Sequence, residues 1–106
     1  METMLKSYVA LVERTEKWDR SKPAFEQEGF AEHAAYMEAL EKSGMIAMAG
    51  LLAESELVLF VMRANDIDEV RAGFAGDPMQ QSGLARVIRL EEAQFRIGTP
   101  EGTGPG

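Results

Sequence analysis

The chain has 106 residues, of which 45% are hydrophobic and 27% charged, enough for one domain with a modest core and too few for two. Eighteen acidic against eleven basic residues give a formal net charge of -7, which works against nucleic acid and anionic membrane surfaces, because both are bound through clustered Lys and Arg. The lack of cysteine excludes disulfides, thiolate nucleophiles and cysteine zinc sites.

The longest apolar run, around Leu57–Met62, is far short of the roughly 20 residues that a membrane span needs. Met1–Ser7 has no basic stretch followed by an apolar one, so no signal peptide is expected and the expected location is cytoplasmic. Tyr8–Arg14 reads as a strand, short, β-branched and aromatic-led. A polar connection, Thr15–Lys22, carries Trp18, and Pro23 suits the first turn of a helical segment. From about Phe25 to Ser43 the spacing is helical, with Phe30, Ala34, Met37 and Leu40 on one stripe and Gly44 as the stop. Gly29 weakens the first turns, so the regular helix is expected to start near it.

Met45–Ala53 and Glu56–Arg63 read as two strands joined at Glu54-Ser55, a hairpin. Asn65 or Asp66 then caps a short helix whose buried side is Ile67, Val70 and Phe74, ended by Gly76 and Pro78. A loop, Asp77–Gly83, leads to a last strand from Leu84 to about Leu90, with pairing expected to continue through Ala93, Phe95 and Ile97 past a bulge or bend at Glu91-Glu92. The Gly- and Pro-rich residues from Gly98 on are expected to be a disordered tail, leaving 1–97 as the single domain. The order β-α-β-β-α-β is the ferredoxin-like, α+β arrangement: a four-stranded antiparallel sheet with two helices on one face. Residues of both parities are apolar in Tyr8–Val12, Met45–Ala53 and Leu57–Met62, so the second face should be covered as well. With no further element to cover it, the expected partner is a second copy, packed sheet to sheet as a homodimer.

The single histidine, His33, falls mid-helix near the centre of the apolar stripe. Its plain reading is a core histidine satisfied by a backbone carbonyl; its chemical reading is a general acid or base. Asp77, before Pro78, is by itself a helix-terminating turn residue. Since both helices share one face, Asp77 can also approach the first helix and hold an imidazole in one tautomer. Tyr36, three residues from His33, either offers a hydroxyl to a pocket or packs at the helix margin. Trp18 either contacts a ligand or covers a core edge, and Arg14 and Arg20 beside it either bind an anion or are solvated charges. Met45, Met48, Met62 and Met79 suit adaptable packing in the core, at a dimer interface or on a pocket wall. The candidate substrate contacts are therefore Tyr36, Trp18, Arg14 and Met79. Glu26, Glu28, Glu32 and Glu38 read as a solvated helix face and not a metal site, and Gly73-x-x-Gly76 lacks the lysine of a phosphate loop. No metal and no cofactor is expected.

The segments HAAYMEALEKSGMIAMAG (His33–Gly50) and GDPMQQSGL (Gly76–Leu84) resemble the YCII-related family over roughly residues 8–90. The resemblance implies a dimeric α/β barrel of the ferredoxin-like class. It also implies an active-site pair made by the helical His and the Asp of Asp-Pro, here His33 and Asp77. One member of that family is a dehydrochlorinase acting on a hydroxylated aromatic ring. This chain departs from the pattern where Ala49-Gly50 is followed by Leu51 rather than proline. The functional expectation is a small cofactor-free enzyme doing elimination, isomerisation or lyase-type proton transfer with the His33–Asp77 pair. The alternatives are a non-catalytic ligand-binding or accessory protein with the same pocket, and an interaction module whose histidine is structural.

Overall fold

The computed structural model describes residues 5–98. Four strands, β1 (Lys6–Arg14), β2 (Ile46–Leu51), β3 (Val58–Ala64) and β4 (Ala85–Ala93), form one antiparallel sheet in the order β2-β3-β1-β4. Helices α1 (Phe30–Lys42), α2 (Ile67–Ala75) and α3 (Pro78–Ser82) complete the α+β, ferredoxin-like fold. The centre of the sheet is the long β1·β3 ladder, in which Tyr8 faces Met62 and Ala10 faces Phe60. Alternation along these strands sends Tyr8, Ala10 and Val12, with Phe60, Met62 and Ala64, to the helix side. There they pack with Val70 and Phe74 of α2 and, at the margin, Met37 and Leu40 of α1. Phe60 and Phe74 meet edge to face with centroids 5.1 Å apart, the geometry that aromatic quadrupoles favour.

The regular part of the first helix starts at Phe30, beside Gly29 as expected: Gly29 takes a left-handed φ of 81° at its N-cap, and the helical spacing read from Phe25 on holds upstream only as a 3-10 turn, Ala24–Glu26. His33 is therefore a first-turn residue and not a mid-helix one. Other features differ from the sequence expectation. The Asp77–Gly83 segment is not a loop: Pro78 at the first position and the Asp77 cap start α3 immediately after α2 ends at Gly76. The hairpin link is longer than Glu54-Ser55, closing from Leu52 N–H to Leu57 carbonyl, with Glu56 at φ 62°. β4 runs straight through Glu91-Glu92 to Ala93, and its irregularity lies at Ile88, between the Leu11–Arg89 and Val12–Val87 pairs. Phe95 and Ile97 come after the end of the strand and are exposed. The tail expected from residue 98 lies, past Gly98, outside the described residues.

All three helices lie over the same face. On the other face the paired residues Val9–Val61 and Leu11–Leu59 form an apolar centre that no described helix covers. One close approach holds α1 to α2. The Tyr36 hydroxyl on α1 donates to the Gly73 carbonyl of α2 at 2.7 Å, and the tyrosine ring lies against Gly76 so closely that a Cβ there would sit 2.8 Å from Cζ.

This packing sets the cost of two substitutions. Met62→Ala, at a fully buried site in a central strand, should cost about 2–5 kcal/mol in urea unfolding, from lost burial and the cavity left behind. Gly76→Ala should cost about 1–3 kcal/mol through overpacking against Tyr36, and the same measurement on Gly50→Ala, whose added Cβ meets nothing within 4 Å, should show a smaller loss.

Candidate active site

Asp77 is almost fully buried at 1% exposure, although a carboxylate taken from water must find charge or hydrogen-bond partners. It has two. Its Oδ1 accepts the Met79 N–H at 3.1 Å, which caps α3, and lies 2.7 Å from His33 Nδ1 on α1. The carboxylate assigns the imidazole hydrogen to Nδ1, since an ionised carboxylate only accepts. Nε2 is then the nitrogen with a free lone pair, and it has no hydrogen-bond partner among the described residues. The His33 side chain keeps 23% of its surface and that of Asp77 2%, so the histidine is the member of the pair that a ligand can reach.

The order of elements explains why these two residues meet. Only Gly76 and Asp77 separate α2 from α3, and Asp77 is the N-cap of α3. Tyr36, one turn after His33 on α1, clamps the last turn of α2 immediately before it. The imidazole also packs beside Phe30, with ring centroids 6.1 Å apart.

The pair sits in the wall of a pocket of about 130 Å³ between the ends of β1 and β3 and the first turn of α1. Most of its lining is apolar, including Val12, Phe30, Phe60, Phe74 and Met79. The exceptions are His33, Asp77, Gln80 and, at the end of β1, Arg14, whose guanidinium carbon stands 4.4 Å from the centre of the Trp18 ring. Of the six residues singled out from the sequence, the structure brings His33, Asp77, Arg14, Trp18 and Met79 around this one space. Tyr36 is not among its lining residues: its hydroxyl is committed to the Gly73 carbonyl, so the packing alternative describes its geometry.

Two further residues build the site and carried no signal in the sequence. Gln27 is a polar residue in a polar stretch, yet it is 5% exposed. Its amide accepts from Asp19 N–H at 3.0 Å and donates to the carbonyls of Asp19 and Lys22 at 2.8 and 3.2 Å, folding the segment after Trp18 into a closed loop. In that loop Ser21 donates twice to the Asp19 carboxylate, which holds this exposed group below the usual carboxylate range. Thr15, 7% exposed, donates its hydroxyl to the Gly83 carbonyl at 2.5 Å and accepts from Lys17 N–H, tying the strand end before Trp18 to the end of α3. Both interactions span loops that meet only in the folded chain. Among the described residues no group of three or more His, Cys, Asp and Glu comes together as a metal site, and no helix is long and apolar enough to cross a membrane.

Comparison with known proteins gives one match. No curated protein and no solved structure matches the chain significantly. The YCII-related domain model matches residues 8–94, which takes in all four strands apart from two residues at the start of β1, all three helices and every residue of the pocket. The chain belongs to the YCII-related family.

Proposed function

We propose that the protein is a small enzyme that moves protons on a small organic substrate without a cofactor, with His33 as the general acid/base and Asp77 as the residue that orients and charges it. The observation that carries this reading is the 2.7 Å contact of His33 Nδ1 with the buried Asp77 carboxylate in the wall of an apolar pocket. Such a pair fixes the tautomer, leaves Nε2 to take a proton, and stabilises the imidazolium that forms. Nε2 removes a proton from a carbon next to an electron-withdrawing group. The electron pair then either expels a leaving group from the neighbouring carbon, an elimination, or is reprotonated elsewhere by the same imidazolium, an isomerisation. Both reactions balance on His33 alone, since the proton taken is the proton returned or handed to solvent.

The reading includes a homodimer formed through the sheet face opposite the helices. Half-buried Val9, Leu11 and Leu59 lie at its centre around Val61, itself 4% exposed, and exposed Met48 lies in the Val61 row on the edge strand. Partly exposed apolar residues grouped on one sheet face are the mark of an interaction surface.

The catalytic reading is tested by deuterium exchange in D2O, followed by NMR over a panel of small ring compounds that carry an acidic C–H. The wild type should label at least one of them, and His33→Asn should label it about 10²–10⁴-fold more slowly. Asp77→Asn, whose amide oxygen can still cap α3, should lose a comparable factor. Labelling that is unchanged in both variants, or absent throughout while the pocket still binds ligand, rejects catalysis in favour of a binding protein. The dimer is tested by sedimentation equilibrium at micromolar concentration. Wild type should run as a dimer and Leu11→Glu, a charge placed in the centre of the open face, as a monomer. A monomeric wild type rejects the interface.

A further inference from the structure

The pocket carries a cation that proton transfer by His33 and Asp77 does not use. Arg14 is the last residue of β1 and shares the helix-side parity of Tyr8, Ala10 and Val12, so the strand delivers its side chain to the pocket rather than to the open face. Its guanidinium is stacked on Trp18 at 4.4 Å. Among the described residues it has no ion-pair partner, whereas neighbouring Arg20 is paired with Glu56 at 3.8 Å and Arg86 with Glu13. The Trp18 main chain is held by the Thr15 carbonyl, which accepts its backbone N–H at 3.0 Å. The guanidinium therefore lies over the indole with no carboxylate on its donors among the described residues.

We propose that the pocket binds a small ring compound bearing one carboxylate, with the carboxylate on Arg14 and the ring against Phe30, Phe60 and Met79, within reach of His33. This deepens the proton-transfer reading by naming its substrate class, and it rests on that reading only for what happens after binding. Three observations converge on it. The cavity of about 130 Å³ is close to the roughly 150 Å³ of an apolar cavity that accepts benzene. The lining is apolar apart from Arg14, His33, Asp77 and Gln80, and Arg14 is the one permanent cation among them, which suits a ligand with a single anionic group. A guanidinium, unlike an ammonium, presents a planar fork that matches a carboxylate and can stack on an aromatic face at the same time. The protein as a whole repels anions, with a net charge of -7. At physiological salt, however, charges more than about 8 Å away are largely screened. The carboxylate that shares the pocket, Asp77, already has its own partners in His33 and the Met79 N–H, which leaves Arg14, among the described residues, as the pocket cation without a counter-charge.

Trp18 is the sole tryptophan of the chain and lines the pocket, so its fluorescence reads occupancy directly without any turnover. The full chain is titrated with benzoate and with benzamide, its neutral isostere. Wild type should give saturable change in Trp18 emission with benzoate at least about tenfold tighter than benzamide, the scale of a hydrogen-bonded charge pair. Arg14→Met should bind benzoate about tenfold or more weakly than wild type, with benzamide little changed, and Arg14→Lys should fall between. Benzoate and benzamide bound equally by wild type, equal benzoate affinity in wild type and Arg14→Met, or no saturation by about 10 mM benzoate overturns the proposal. If Arg14→Met does not fold, the wild-type preference between the two isosteres decides alone. Deuterium exchange that depends on His33, found together with loss of the benzoate preference, rejects the substrate class and leaves the catalytic reading standing. Benzoate preference without exchange does the reverse.

Discussion

The Asp77 carboxylate is the group on which the helical layer turns. A single oxygen of it caps α3 through the Met79 N–H and meets the α1 imidazole. Burying it at 1% exposure costs free energy that one backbone hydrogen bond does not offset, and the charge-assisted contact with His33 supplies the rest. Removing either partner leaves a buried polar group with half its complement, which is more damaging than never having placed it there.

Around that contact the layer is held on one side and open on the other. Tyr36 and Gly76 bring α1 and α2 together near the Asp77 end, whereas α1 has no fully buried residue along its 13 positions. A helix tethered at a few points and only half-embedded leaves space beneath its first turn, and that is where the pocket lies. The Trp18 segment closes the space from outside, and its own order depends on Gln27 and Thr15, whose hydrogen bonds satisfy backbone groups that would otherwise be left without partners. The pocket is thus made by three connections of very different sequence span rather than by one contiguous motif.

The elements legible in the sequence are those set by local interactions. The four strands and two longer helices can be read because β-branched runs, helical spacing and glycine stops act within a few residues; Gly44 and Gly76 fall where the helices end. Helix α3 escapes that reading because five residues give no periodicity, although Asp77-Pro78, a cap before a first-turn proline, signals a helix start as well as a stop. Spacing alone extends α1 upstream of Gly29, a residue whose positive φ separates a turn from a helix. His33, Asp77, Arg14 and Trp18 stand out as types placed against the pattern, one imidazole on an apolar stripe and one indole in a polar link. Gln27 and Thr15 do not, since their burial arises only when the Trp18 segment is closed, and no local pattern encodes that.

The same geometry bears on why an apolar pocket is a suitable place for proton transfer by an imidazole. In water the attraction between two unit charges 4 Å apart is about 1 kcal/mol, and at an effective dielectric constant near 20 about four times that. A pocket walled by Val12, Phe30, Phe60 and Phe74 moves the His33–Asp77 pair and Arg14 toward the second regime. On the proposed reading, proton abstraction from a bound carbon acid would create a negative charge on the substrate and a positive one on His33. Asp77 would stabilise the second, and Arg14 the first when the group it holds is conjugated with the reacting carbon. With a saturated spacer between carboxylate and reacting carbon, Arg14 would contribute equally to ground and transition states and lower KM without raising kcat. The position of the reacting C–H relative to the carboxylate therefore determines whether Arg14 acts as an anchor alone or also as an electrostatic catalyst, and the kcat and KM of Arg14→Met on any substrate found by exchange separate the two.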